Sequence, residues 1–271
     1  RDNRKGHSGV TISTPLTTLL QIEHPILLAP MAGAAGGALA AAVSHAGGLG
    51  IVGGGYGEEA WLTRELDAAG NARIGVGFIT WSMAQNPRLL DLALERKPAA
   101  IMLSFGDIAP HAGTIRRAGA LLICQVQSVE QAKDAIAKGA NIVVAQGTEA
   151  GGHGAARATL PLVPAVVDVA GKVPVVAAGG IADGRGLAAA LMLGADGVLM
   201  GTRFLASVEA LTTPEAKQRV VDSSGDGTLR TMVFDIVRGR AWPAPFNGRV
   251  IRNKFSERWR GRETELMQNL A

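Results

Sequence analysis

The stretch Val175-Val176-Ala177-Ala178-Gly179-Gly180-Ile181-Ala182-Asp183-Gly184 passes from a short apolar run, through two adjacent glycines, into the start of a helical pattern. Four small or β-branched apolar residues bounded by Pro174 and Gly179 suit a strand buried on both faces. The helical stretch that follows, 184–193, stops at Leu193-Gly194-Ala195, and a second apolar run occupies 197–200. Strand, helix and strand with short turns make one right-handed βαβ unit, which requires its two strands to be parallel.

Working outward, the same unit recurs along the chain. Apolar runs at 26–30, 49–53, 74–79, 100–104, 121–126, 142–145, 175–178 and 197–200 alternate with amphipathic stretches at 37–46, 58–69, 87–96, 108–118, 129–138, 160–170, 184–193 and 213–221. Glycines end most of the helical stretches, as in Ala46-Gly47-Gly48, Ala69-Gly70, Ala118-Gly119 and Lys138-Gly139-Ala140, where a helix C-cap turns into the next strand. Eight repeats predict an α/β fold, a single (β/α)8 TIM barrel with a C-terminal extension. The boundaries read as an N-terminal arm at 1–14, the barrel at 15–223 and a strap at 224–271 packed on it, too short for an independent core. Gly48-Leu49-Gly50-Ile51-Val52-Gly53 matches a dinucleotide fingerprint in letters, but it closes a helix and runs through a strand rather than leaving a strand to open a helix.

Composition supports an enclosed core: 47% of the 271 residues are hydrophobic and 36 are glycine. No apolar run approaches the roughly 18 residues of a membrane span, and no signal-peptide pattern is present. A single cysteine, Cys124, excludes an internal disulfide framework and points to a reducing, cytoplasmic compartment. No His or Cys pair has ligand spacing, so no metal is expected. Nine basic and two acidic residues lie between Arg230 and Arg262, leaving 18 basic and 21 acidic elsewhere. The tail arginines alternate with Trp242, Pro243, Pro245, Phe246 and Trp259, the pattern of a strap laid on the body rather than of a nucleic-acid arm.

Strand starts are spaced by roughly 20 to 26 residues, except for 33 between Ile142 and Val175. The enlarged loop, Gly147-Thr148-Glu149-Ala150-Gly151-Gly152-His153-Gly154, therefore leaves the sixth strand on the face where barrel enzymes carry their chemistry. His153 has the intrinsic basicity to exchange a proton near neutrality and is the candidate catalytic base. Gly179-Gly180, and Gly201-Thr202 one unit later, follow strands seven and eight, the common phosphate position of this barrel, where bare backbone at a helix start can cradle a phosphate.

With these motifs in this order the chain resembles the nitronate monooxygenase family, formerly called 2-nitropropane dioxygenases, and its neighbours the FMN-dependent enoyl reductases. The resemblance runs from about His24 to Ala210, through Ala29-Pro30-Met31-Ala32-Gly33, Ala145-Gln146-Gly147-Thr148-Glu149-Ala150-Gly151-Gly152-His153, Val175 to Ala182 and Leu199 to Phe204. It implies FMN as cofactor. Ala29, Pro30 and Met31 would border the flavin ring, and Gln146, Gly151 and Gly152 would contact FMN. Gly179, Gly180, Leu199, Met200, Gly201 and Thr202 would hold the ribityl phosphate, with His153 as the catalytic histidine. Gly77 stands where many members carry Asn, and Gln125 where some carry Lys. The implied reaction is oxidation of a nitronate or nitroalkane by dioxygen to a carbonyl compound and nitrite. The alternative is NAD(P)H-dependent reduction of an enoyl thioester or quinone, and a barrel that binds flavin without activity is a third reading.

Other residues stay open at this level. Glu149 reads either as a carboxylate partner of His153 or as a cap of its loop. Tyr56, Trp81, Met83 and Phe105 follow strands two to four and either wall an apolar pocket or pack in the core. His111 is a reserve candidate on the active face, whereas His7, His24 and His45 sit away from it. Cys124, inside strand five, reads as a buried structural thiol.

Overall fold

In the computed structural model, which describes residues 12–270, eight parallel strands wrap into a barrel. They are β1 (Ile26–Leu28), β2 (Ile51–Gly53), β3 (Gly75–Ile79), β4 (Ala100–Ser104), β5 (Leu121–Val126), β6 (Ile142–Gln146), β8 (Val175–Ala178) and β9 (Gly197–Met200). The hydrogen-bonded order is β1-β9-β8-β6-β5-β4-β3-β2, and a parallel bridge between Leu27 and Leu49 joins its two ends. The first strand is shorter than the sequence pattern suggests. Ala29 and Pro30 lie beyond its end, so the Ala-Pro-Met segment is a loop at the barrel mouth.

Alternation along each strand sorts the core into two layers. Val144 and Ile123 point into the barrel with Leu49, Ile51 and Met102, while Val143, Ala145, Leu122 and Cys124 face the surrounding helices. The interior is a filled core, not a pore. Its lower end is plugged by Leu16 and Leu20 of the first helix, Pro15–Leu20, both fully buried. The capping box at Thr14 starts that helix, and the Thr14 hydroxyl donates to the Asp196 carbonyl, fixing the plug to the barrel floor. His7 and the start of the arm lie outside the described residues.

Two elements depart from the repeat. The eighth helix, Pro214–Asp222, forms where expected, but none of its residues is buried. The enlarged loop after β6 contains a strand, β7 (Gly152–Gly154), which pairs antiparallel with β11 (Asn247–Ile251), itself paired with β10 (Thr228–Thr231). The C-terminal residues are thus hydrogen-bonded to the loop that carries His153. None of the helices among the described residues is long and apolar enough to cross a membrane.

Candidate active site

His153 occupies the middle of β7, opposite Gly248 of β11. Gly-His-Gly has little strand propensity of its own; its strand character comes from pairing with β11, with Gly152 entering at a φ of 70°. The loop before it is held by cations from the tail. Arg230 Nε donates to the carbonyl and hydroxyl of Thr148, both at 3.1 Å, and Nη2 to the Ala150 carbonyl at 3.4 Å. Its Nη1 reaches the Gly154 carbonyl at 3.3 Å and the carbonyl and Oδ1 of Asn247. Arg249 adds two further hydrogen bonds to the Thr148 carbonyl, at 3.0 and 3.2 Å. Burial, with Arg249 beside it, pushes the Arg230 pKa down to about 10. Both guanidinia bind backbone and side-chain oxygens of the loop and of the strands beside it.

Gln146, at the end of β6, ties the barrel to the same loop. Its Oε1 accepts from Gln125 at 3.1 Å and from Gln127 at 2.9 Å, and its Nε2 donates to the His153 carbonyl at 3.0 Å. Only one N–H of that amide is left for a ligand.

The carboxylate that meets His153 is not Glu149. Asp235, in the helix Val233–Val237, places Oδ2 3.0 Å from His153 Nε2, with the two side chains 6% and 17% exposed. Glu149 instead accepts from the amide and hydroxyl of Thr159 at 2.8 and 2.7 Å, capping the helix Thr159–Ala170. Burial works to raise its pKa, but the Thr159 hydrogen bonds prevail and hold it below the usual value. The cap reading of Glu149 therefore stands and the partner reading does not.

Trp242 lies flat against the His153 ring, centroids 3.5 Å apart and planes 6° from parallel. Its other neighbours are Trp81 at 5.5 Å and Phe105 at 5.0 Å, both edge-on, and Phe105 also meets Phe246. Tyr56 joins through Trp81, with the Arg240 guanidinium 4.0 Å above its ring. Burial raises the Tyr56 pKa, and the nearby Asp235 charge acts in the same direction. Tyr56, Trp81 and Phe105 thus form one aromatic wall with the tail, whereas Met83 is buried among the outer core residues. Cys124 is buried as read, its pKa raised to about 12 by burial and by Asp134. His111 sits on the helix Ala109–Arg117, half-buried, its pKa lowered by burial against the pull of Asp107.

The remaining predicted residues gather at the barrel mouth. A Cβ added to Gly201 would lie 3.3 Å from the Ala29 Cβ and 3.4 Å from the Met31 sulfur, and one added to Gly151 would lie 2.4 Å from Thr202 Oγ1. The turns after β1, β6 and β9 therefore touch. Leu199 and Met200 are buried in β9 beneath them. Gly179 and Gly180 adopt φ of 118° and 71°, backbone that L side chains rarely take. Among the described residues no backbone carbonyl accepts from the amides of Gly180, Ile181, Gly201 or Thr202.

The helix start that follows is different: Asp183 Oδ1 accepts from Arg185 and Gly186 at 3.0 and 3.1 Å. An acidic N-cap repels phosphate, so the expected helix N-terminus is taken and the glycine amides before it are the available donors. Gly77 has its own reason. A Cβ there would fall 2.4 Å from the Pro30 Cβ, so Pro30 fills the space that a side chain in the third strand would need. No cluster of His, Cys, Asp or Glu among the described residues could hold a metal ion.

The family model described as nitronate monooxygenase matches residues 13–73 and 79–259. The chain belongs to the nitronate monooxygenase family. Nitronate monooxygenase npaC of Metarhizium robertsii is 39% identical, over 88% of this chain and 74% of that protein. A Mycobacterium tuberculosis relative named (3aS,4S,5R,7aS)-5-hydroxy-7a-methyl-1-oxo-octahydro-1H-indene-4-carboxyl-CoA dehydrogenase is 38% identical, over 83% of this chain but only 64% of its own length. Among solved structures, FabK from Thermotoga maritima superposes with a TM-score of 0.84 at 35% identity, covering 96% of this chain and 82% of that one. The family is an oxidoreductase family, and the relatives of this chain include one named for a different reaction.

The sequence pattern marks none of Asp235, Trp242 and Arg230 as a site residue. One signal was available for the first: Asp235 is one of only two acids in a segment with nine bases.

Proposed function

We propose that this chain oxidises nitronates or nitroalkanes with dioxygen, releasing a carbonyl compound and nitrite, with FMN held across the barrel mouth. The observation that carries the reading is His153 itself: an imidazole with one nitrogen on Asp235, set in a strapped loop beside an aromatic wall. The open amides of Gly180, Ile181, Gly201 and Thr202 suit a phosphate, and the Ala29-Pro30-Met31 segment offers an apolar shelf to a flat ring. Gln125, Gln146, Gly151 and Gly152 would border the same ligand, with Gly77 admitting Pro30 beneath it. What FMN supplies when bound is an electron acceptor that can hand electrons on to dioxygen.

The residues do the rest. His153 takes the α-proton from a neutral nitroalkane through the nitrogen not engaged by Asp235; a nitronate arrives without that proton and needs only to be oriented. Tyr56, Trp81, Phe105 and Trp242 exclude water from the substrate carbon.

The second reading, reduction of an enoyl thioester or quinone by NAD(P)H, draws on the likeness to FabK and to the CoA-thioester dehydrogenase. Anaerobic mixing of the flavin-loaded protein with a nitronate, and separately with NADH or NADPH, discriminates the two. Bleaching by the nitronate supports the first reading; bleaching by the pyridine nucleotide alone overturns it in favour of the second.

A further inference from the structure

Asp235 is a buried carboxylate with, among the described residues, a single hydrogen-bonding partner. Its side chain is 6% exposed, it lies 3.0 Å from His153 Nε2, and among the described residues it makes no other side-chain hydrogen bond and meets no lysine or arginine at ion-pair distance. An ionised carboxylate can only accept, so the proton between them belongs to Nε2. That leaves Nδ1 as the nitrogen with a free lone pair. Trp242, parallel to the ring at 3.5 Å, opposes the flip that would exchange the two nitrogens. Tyr56 lies close enough to feel the Asp235 charge, with Trp242 beside its hydroxyl and the Arg240 guanidinium stacked on its ring.

We infer that Asp235 is a positioning residue: it fixes His153 as the Nε2–H tautomer and so presents Nδ1 as the proton acceptor, with Trp242 holding the ring plane. The inference deepens the proposed function and rests on His153 being its base. It also gives the C-terminal segment a role in catalysis, because the orienting carboxylate and the stacking indole both come from residues beyond the eighth barrel helix.

The test combines a spectroscopic and a kinetic readout. With histidine labelled in both ring nitrogens, NMR of the whole protein, assigned by loss of signal in His153→Ala, reports which nitrogen carries the proton. The expected wild-type result is a proton on Nε2 alone. Asp235→Asn, whose amide can donate to Nε2, should move the proton to Nδ1 and lower kcat/KM for a neutral nitroalkane by about 10²-fold, leaving turnover of the preformed nitronate little changed. Asp235→Glu should restore the Nε2–H signal and part of the rate. A wild-type proton on Nδ1, or an Asp235→Asn spectrum identical to wild type, overturns the inference. The wild-type spectrum decides even if a variant fails to fold. The tautomer readout needs no turnover, so an Nε2–H signal in a protein inert toward nitro compounds would sink the proposed reaction while sustaining the role of Asp235.

Discussion

Replacing Arg230 by Met removes the strut that ties the His153 loop to the tail while keeping the stem's apolar volume. Arg249 continues to serve the Thr148 carbonyl, but those of Ala150, Gly154 and Asn247 lose the guanidinium. Each lost hydrogen bond in a half-buried setting costs about 1 kcal/mol net. Part of that sum is returned, because the guanidinium no longer has to be desolvated; the depression of its pKa to about 10 records that cost. A net loss of about 2 kcal/mol follows, which for a chain of this size lowers Tm by about 4 °C. Arg230→Lys should fall between, since a point charge cannot span Thr148 and Asn247 as the planar fork does. Differential scanning calorimetry gives the shift, and limited proteolysis shows whether cleavage concentrates between residues 147 and 158. A Met variant within 1 °C of wild type, with no new cleavage in that loop, would refute the view that Arg230 holds the site together.

Two smaller perturbations test neighbouring parts of the account. The Glu149 carboxyl is depressed below its unfolded value, so its contribution is present above the unfolded pKa near 4.5 and is lost as pH falls through the lower folded value. Between about pH 5 and 3 the wild-type Tm should therefore fall further than that of Glu149→Gln, and parallel curves would contradict the cap. At the barrel mouth, Gly77→Asn forces a Cβ into Pro30 and should destabilise by about 1–3 kcal/mol in urea unfolding. An unchanged midpoint would mean that Pro30 is free to move.

The barrel was legible because its determinants are local. Each unit writes its own strand as an apolar run and its own helix end as a glycine, so the 33-residue interval stood out and led to His153. What completes the site is not local. Asp235 lies 82 positions from His153, and their meeting depends on the pairing of β7 with β11. Neither partner announces that pairing, since Gly152-His153-Gly154 carries no strand pattern. The same sheet turned arginines that read as strap charges into backbone ligands of the loop. At Asp183 the sequence showed a helix start but not that its own carboxylate would occupy the donors assigned to phosphate. At Glu149 two roles were equally compatible with the letters, and only the position of Thr159 decided between them.

The proposed base role of His153 is what would make neutral nitroalkanes substrates. Steady-state turnover of His153→Ala, loaded with FMN, on a neutral nitroalkane and on its preformed nitronate tests it most directly. A base at His153 predicts retained flavin, a loss of kcat/KM on the neutral compound of about 10² to 10⁴-fold, and a far smaller loss on the anion. Equal losses on both substrates, or full activity on the neutral one, would contradict it.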